Sequence, residues 1–311
     1  MIVLYLTFGH NLRVHQQAVF SAMTLLAQVA KGAGPQVEAV VYTDAPQYYR
    51  LLGDRARIIT TTPEQLTSWR GPHDFFWRIK IKALQALTVQ YPGENLLYLD
   101  ADTFCFGKPG TLTDVLTQGT HLMHAREGAL HELPTSTERT MYRQCSGNTF
   151  AGIVVDGNST MYNAGVVGLA ATRAGEAVTL ALEVCDAMCA AGVTRRLVEQ
   201  FALSLALEAC GGLTAANGSI GHYWGNKEDW NERITAFFLE HHLGDDDLAQ
   251  QIAAAGAVDF AALPIYKRSS GTRRKLRAWV DRTFDKRLHA YIPRPEEPAN
   301  DLSERRLARR V

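Results

Sequence analysis

Short apolar runs alternate with longer stretches in which apolar residues recur every three or four positions. Residues 2–8 are an apolar run of strand length. From Leu12 to Lys31 the period becomes helical, with Val19, Phe20, Met23, Leu26, Ala27 and Ala30 on one face. Gly32, Gly34 and Pro35 end that helix. Residues 37–43 predict a second strand and 56–60 a short third; a helix over 75–90 then leads into a strand ending at Asp100. Strands alternating with helices at this spacing predict an α/β domain around a mostly parallel sheet with right-handed crossovers. Beyond Asp100 the pattern predicts a short helix over 112–116, a strand over 160–169, and helices over 173–191, 195–209, 228–241 and 245–256. Residues 126–150 read as a polar, irregular substrate loop, and 219–230 as a loop rich in glycine and aromatics. No internal repeat is visible.

The chain's 311 residues, 46% of them hydrophobic, suffice for one large or two smaller domains and exclude a fibrous or disordered class. Cys105, Cys145, Cys185, Cys189 and Cys210 are odd in number and lack zinc-site spacing, so a reduced, cytosolic protein is expected. No basic leader precedes the first strand and no apolar run reaches membrane-spanning length, so neither a signal peptide nor a spanning helix is expected.

Charge divides the chain unevenly. From Lys267 onward there are 14 Lys/Arg against 6 Asp/Glu, whereas residues 1–266 carry 18 against 26. Within this tail, residues 272–291 predict an amphipathic helix. Leu276, Trp279, Val280, Thr283, Phe284, Leu288 and Tyr291 fall on one face, and arginines and lysines cover most of the rest. That pattern suits an anionic membrane surface, with the protein peripheral on its cytoplasmic side; docking of the same face on the preceding domain is the alternative. Nucleic acid is not an expected partner, because the arginines share their helix with large apolar residues and the remaining domain is acidic.

The chemistry centres on residues 95–106, where an apolar run closes on Asp100-Ala101-Asp102. Residues i and i+2 of extended backbone point to the same side, so both carboxylates are expected to converge beyond the strand's carboxyl end, where open α/β sheets bind ligands. Converging carboxylates call for a hard divalent cation, Mn2+ or Mg2+. Four further segments accompany them. Arg78, Lys80 and Lys82 lie on the preceding helix; Arg78 and Lys82 share a face, either solvated or turned to an anionic ligand. Tyr162-Asn163-Ala164-Gly165-Val166 offers an amide and small residues at the mouth of a strand. Glu199 and Gln200 precede an apolar helical run, where a helix-capping role for Glu199 is the alternative. His222, Gly225 and Lys227 lie in the glycine- and aromatic-rich loop, His222 as a candidate imidazole ligand.

Taken in order, these motifs resemble the GT-A fold glycosyltransferases, closest to family eight, which includes glycogenin and the bacterial lipooligosaccharide galactosyltransferases. The likeness runs over roughly residues 2–230. It implies a Rossmann-like GT-A catalytic domain over 1–266, with a nucleotide-binding half (1–104) and an acceptor and metal half (105–266), extended by the helical tail 267–311. It further implies that Asp100, Asp102 and His222 hold Mn2+ or Mg2+, which holds the diphosphate of a nucleotide-sugar donor, here a UDP-sugar. Arg78, Asn163 and Glu199 would meet the donor sugar, with Gln200 beneath its anomeric carbon; Gln200, Glu199 and Arg78 would thus be the catalytic set. Thr7 and Phe8, with Asp44, would meet the base and ribose. Lys80, Ala101, Ala164, Gly165 and Gly225 would line the donor, and Lys227 would face its diphosphate. The implied reaction moves a hexose to a glycan or lipid-linked acceptor with retention. In this chain the lysine comes one residue earlier after Gly225 than in the family, no proline follows it, and Glu199 stands where aspartate is common.

Two other readings stay open. Asp100-Ala101-Asp102-Thr103 also suits the nucleophile motif of haloacid-dehalogenase-like phosphatases, with Asp100 attacking phosphorus and Gly244-Asp245-Asp246-Asp247 as the late acidic motif. That motif normally closes the first strand, whereas three predicted strands precede it here. A sugar-nucleotide-binding module without turnover is the other. A nucleotidyltransferase fits poorly, since residues 9–14 lack the Gly-, Arg- and Lys-rich loop expected after the first strand.

Overall fold

The computed structural model describes residues 1–32 and 36–265, together with Leu276, Trp279, Val280 and Thr283. The chain divides into two compact units, Met1–Lys267 and Arg268–Val311. The first begins with β1 (Ile2–Thr7), α1 (Leu12–Lys31), β2 (Glu38–Thr43) and β3 (Ala56–Thr60). Next come α2 (Pro63–Arg70), α3 (Arg78–Gln90), β4 (Leu96–Leu99), β5 (Thr103–Cys105) and α4 (Pro109–Thr117). The middle of the unit holds β6 (His121–Ala129), α5 (Ser136–Cys145), β7 (Thr149–Phe150), β8 (Ile153–Val154) and β9 (Thr160–Leu169). It closes with α6 (Ala174–Ala190), α7 (Val198–Gly211), β10 (Leu213–Ala215), β11 (Ile220–His222), α8 (Lys227–Leu243) and α9 (Leu248–Ala257).

Seven strands form the central sheet, in the order β10-β6-β9-β4-β1-β2-β3. The alternation of strands and helices predicts the parallel run from β4 through β1 and β2 to β3. One strand departs from it: β9 is antiparallel to both β4 and β6. Burial on both faces of the sheet explains the apolar runs. Ile2 and Leu4 of β1 pack into the core on one face of the sheet, while Val3 and Tyr5 pack into the core on the other. Along β4, Leu96 and Tyr98 face one core, Leu97 and Leu99 the other. A sheet covered on both faces needs apolar residues at every position, which removes the period-two signature.

Three expectations need correction. Residues 126–150 are not an irregular loop: they hold the end of β6, then α5, then β7. The helix α5 escapes a hydrophobic reading because only Met141 and Cys145 of it are buried; its start is marked instead by a capping box between Thr135 and Glu138. The loop expected over 219–230 is also shorter, since β11 pairs antiparallel with β5 and α8 starts at Lys227. Finally α2, absent from the sequence pattern, buries Trp69 alone.

All five cysteines are reduced and buried. Among the described residues, no helix is long and apolar enough to cross a membrane. The helix expected over 272–291 lies outside the described residues apart from four positions. Of these, Leu276, Trp279, Val280 and Thr283 are helical and exposed.

Candidate functional site

Asp100 follows the last residue of β4, and its N–H donates to Gly165 O at 2.8 Å, extending the β4–β9 ladder by one residue. The chain then turns at Ala101 and Asp102 before β5, with the Thr103 hydroxyl donating to Asp100 O at 2.8 Å. The two carboxylates therefore converge through a turn, and not through the side-chain alternation of extended backbone. Ala101 itself packs partly buried against the core that also holds Leu99 and Phe104. The antiparallel pairing of β5 with β11 sets Thr103 opposite His222, bringing the imidazole to the aspartate pair. Ligand atoms of Asp100, Asp102 and His222 all lie within 4.8 Å of one another.

His222 has a defined seat. Its Nδ1 lies 3.0 Å from Asn163 Oδ1, an oxygen that also accepts the Gly165 N–H at 3.0 Å. Asn163 Nδ2 donates to Glu127 Oε1 at 3.3 Å. Two donors on one side of the amide and a carboxylate on the other fix its orientation, so Nδ1 of His222 must carry a hydrogen. Nε2 is left facing Asp102 Oδ2 at 3.3 Å and Asp100 Oδ2 at 3.8 Å. A hydrogen bond on the far ring nitrogen that fixes tautomer and ring orientation is a recurrent feature of metal-binding histidines. Gly165 completes the seat: a Cβ built on it would overlap the His222 ring.

A second cluster adjoins the first. Lys80, buried, donates to Ala164 O at 3.0 Å and pairs with Glu199 Oε1 at 2.9 Å and Asp100 Oδ1 at 3.5 Å. Its ammonium lies 4.8 Å from the centre of the Tyr98 ring, whose hydroxyl donates to Asp100. Burial works against the charged lysine, but Asp100 and Glu199 outweigh it and raise its pKa. Burial raises the Glu199 pKa, with Lys80 opposing. For Asp102 burial also pushes upward, yet His222 and Lys227 outweigh it and hold the carboxyl well below the usual range. Lys227, at the start of α8, reaches Asp102 Oδ2 at 2.7 Å.

The structure thus gathers Asp100, Asp102, Asn163, Gly165, Glu199, His222, Lys80 and Lys227 in one connected set. Gln200 joins it, accepting from Ala164 N–H at 3.4 Å and donating to Glu127 Oε2 at 3.0 Å. Gly225, partly buried, belongs to the short turn between β11 and α8.

Other expected residues point elsewhere. The Arg78 guanidinium forms a two-pronged pair with Asp186 of α6, at 2.7 and 2.9 Å, and donates to Trp69 O. Lys82 turns to Gln85. Lys80 is two residues on from Arg78, about 200° around the helix, and it is this lysine that reaches the aspartates. Glu199 does not cap its helix through an exposed carboxylate; it is buried against Lys80. Asn163 contacts His222, where a sugar contact was expected. Thr7 is buried with its hydroxyl on Tyr49, and Asp44 accepts from Gly9 N–H at 2.8 Å in the bend after β1. Phe8 is partly buried against the sheet core.

Three residues not among the expected site residues join the site. Glu127 bridges Asn163 and Gln200, and Tyr98 supports Asp100. His124 meets the His222 ring edge-on at 5.2 Å and contacts Ile220 O, its pKa pushed down to about 4 by burial and by His222. His124 and Glu127 lie three residues apart on β6, which a regular strand would set on opposite faces; the register shifts at Met123/Ala125 and Arg126/Gly128 break that alternation, so no simple period discloses them.

The Gly244–Asp247 stretch is taken up by helix ends. Gly244 caps α8, Asp246 pairs with His241, and Asp247 forms a capping box with Gln250 of α9. No protein-family model matches this chain, and no curated protein sequence does.

Proposed function

We propose that the chain is a metal-dependent glycosyltransferase of the GT-A type, which transfers a hexose from a UDP-sugar to a glycan or lipid-linked acceptor with retention. The observation that carries this reading is the meeting of Asp100, Asp102 and His222 beyond the carboxyl end of β4, in the crevice where open α/β sheets take ligands. Two carboxylates and one oriented imidazole suit a divalent ion such as Mn2+, and the buried Asp102 Oδ2 already draws a cation, Lys227 Nζ at 2.7 Å. When bound, that ion supplies positive charge against the diphosphate of the donor.

The chain's own residues have separate tasks. Asn163 fixes the hydrogen of His222 on Nδ1, which leaves Nε2 as the ligand atom. Lys80 holds Asp100 and Glu199 in place and keeps their combined charge from opposing an anionic ligand. Lys227, half exposed, is the cation suited to the departing diphosphate. Gln200 and Glu127 form a polar wall beside Ala164, suited to sugar hydroxyls. In a retaining transfer the departing diphosphate accepts the acceptor's proton, so no separate protein base is required.

A panel of nucleotide-sugars with Mn2+, scored for binding and for nucleotide release without acceptor, tests the reading. Release that stops in chelator and in Asp102→Asn is the expected result. Phosphate release from phosphomonoesters would establish the phosphatase alternative, and binding without turnover the binding-module alternative.

A further inference from the structure

Asp102 Oδ2 is the oxygen a metal ion at this site would take, and a cation already sits on it. Lys227 Nζ lies 2.7 Å away, closer than His222 Nε2 at 3.3 Å. The carboxylate and the lysine differ in freedom. The side chain of Asp102 is 6% exposed and that of Lys227 47%.

The backbone beneath Lys227 is anchored independently. Tyr223 N–H donates to Asp102 O at 3.1 Å, Asn226 Nδ2 donates to Pro264 O at 3.0 Å, and Trp230 of α8 stacks on Tyr223 and Phe104. The ammonium can therefore leave Asp102 by rotation of a half-exposed side chain, with no movement of α8. An ammonium and a divalent ion on one carboxylate oxygen repel each other, so occupation by one disfavours the other. A buried carboxylate left with neither of them, facing only the His222 imidazole at 3.3 Å, is costly, which favours one of the two cations staying.

We propose that Lys227 is a tethered stand-in for the metal. In the metal-free protein it neutralises Asp102; an arriving divalent ion displaces it; and the released ammonium completes a site for a diphosphate anion. The inference rests on the metal site of the proposed function and adds a linkage to it. Lys227 weakens metal binding when no diphosphate is present and strengthens the mutual support of metal and diphosphate when both are. Such coupling is reciprocal between the two ligands.

The test is Mn2+ binding, followed by the electron paramagnetic resonance signal of the free ion, to the full chain and to K227Q and K227R, with and without UDP. Without UDP, K227Q is expected to bind Mn2+ roughly 10-fold more tightly than wild type, within the usual range of coupling between two sites. K227R, which keeps the charge, should stay near wild type. Addition of UDP should tighten Mn2+ binding more in wild type than in K227Q. Equal or weaker Mn2+ binding by K227Q without UDP overturns the proposal and leaves the metal site standing, as does an equal gain from UDP in both proteins. Binding of Mn2+ by K227Q alone supports it in its strongest form. Absence of Mn2+ binding by all three proteins removes the metal site itself and this inference with it. A separate melting measurement guards against misfolding: K227Q should melt below wild type without metal, and Mn2+ should raise its melting temperature by more.

Discussion

Replacing Gly165 by alanine tests the seat of His222 without any assumption about substrate. Gly165 lies in the interior of β9, buried between β4 and β6, with a backbone conformation open to any residue. A methyl group there meets the imidazole of His222, and its three nearest ring atoms all lie within 2.9 Å. The ring cannot retreat freely. One side is fixed by Asn163 and the other by the β5–β11 pair, whose Gly221 is itself packed against Phe104. Overpacking of this kind costs about 1–3 kcal/mol. Expelling the imidazole also removes one of the three proposed ligand groups, so Mn2+ binding should be lost together with the stability.

The decisive arm is the double mutant. With His222 changed to alanine, the added methyl group has the vacated ring space to fill. Gly→Ala at a compatible position then stabilises by about 0.4–1 kcal/mol through the unfolded chain. The sign of the Gly165→Ala effect should thus reverse between the wild-type and His222→Ala backgrounds. Urea unfolding of the four proteins measures it, and the coupling between the two positions should exceed about 1 kcal/mol. Additive effects, or Gly165→Ala with wild-type stability and Mn2+ binding, would refute the placement of His222 against β9.

Three further outcomes follow from the same geometry. Lys80→Met should cost about 3–5 kcal/mol, because it leaves Glu199 buried without its partner cation, and the paired change Lys80→Met with Glu199→Leu should recover much of that in urea unfolding. Arg78→Ala should lower the melting temperature by loosening α3 from α6 while leaving Mn2+ affinity unchanged; a selective loss of metal or nucleotide-sugar binding would return Arg78 to the site. For the basic tail, full-length protein should sediment with anionic vesicles and be released by salt, whereas a chain ending at Tyr266 should stay in the supernatant; identical behaviour of the two forms would remove the membrane reading.

The parts of the fold legible in the sequence are those whose period is set by burial alone. The bounds of α1 and β9 coincide with the apolar pattern because both are extensively buried, while β3, an edge strand with no fully buried residue, is bounded correctly by its short β-branched run. The direction of β9 was not legible. A strand buried on both faces reads alike whether parallel or antiparallel, and its long connection from β6, through α5 and the β7–β8 pair, permits either direction. The missed helices α2 and α5 share one cause. They cover the domain with few buried residues, so their sequence signature lies in the capping groups Thr62 and Thr135 and not in hydrophobic period.

The site divides along the same line. Asp100 and Asp102 were legible because they close an apolar run, where a polar side chain needs a reason, and His222 because it is an imidazole in a glycine- and aromatic-rich loop. What joins them was not. Arg78 and Lys80 both belong to a basic stretch of α3, and sequence spacing favours the pair Arg78 and Lys82, which share a face. Which face looks toward the aspartates depends on Asp186, 108 residues further along the chain, whose carboxylate takes Arg78 and so commits Lys80 to the opposite side. Asn163 shows the same dependence. Its residue type suits a sugar contact or a turn equally, and only the register of β11 on β5, which sets His222 opposite Thr103, turns it into the support of an imidazole. The polar residues of this site take their roles from long-range register, so a substitution that shifts β11 by one residue should disable Asn163 and His222 together while leaving Asp100 and Lys80 paired.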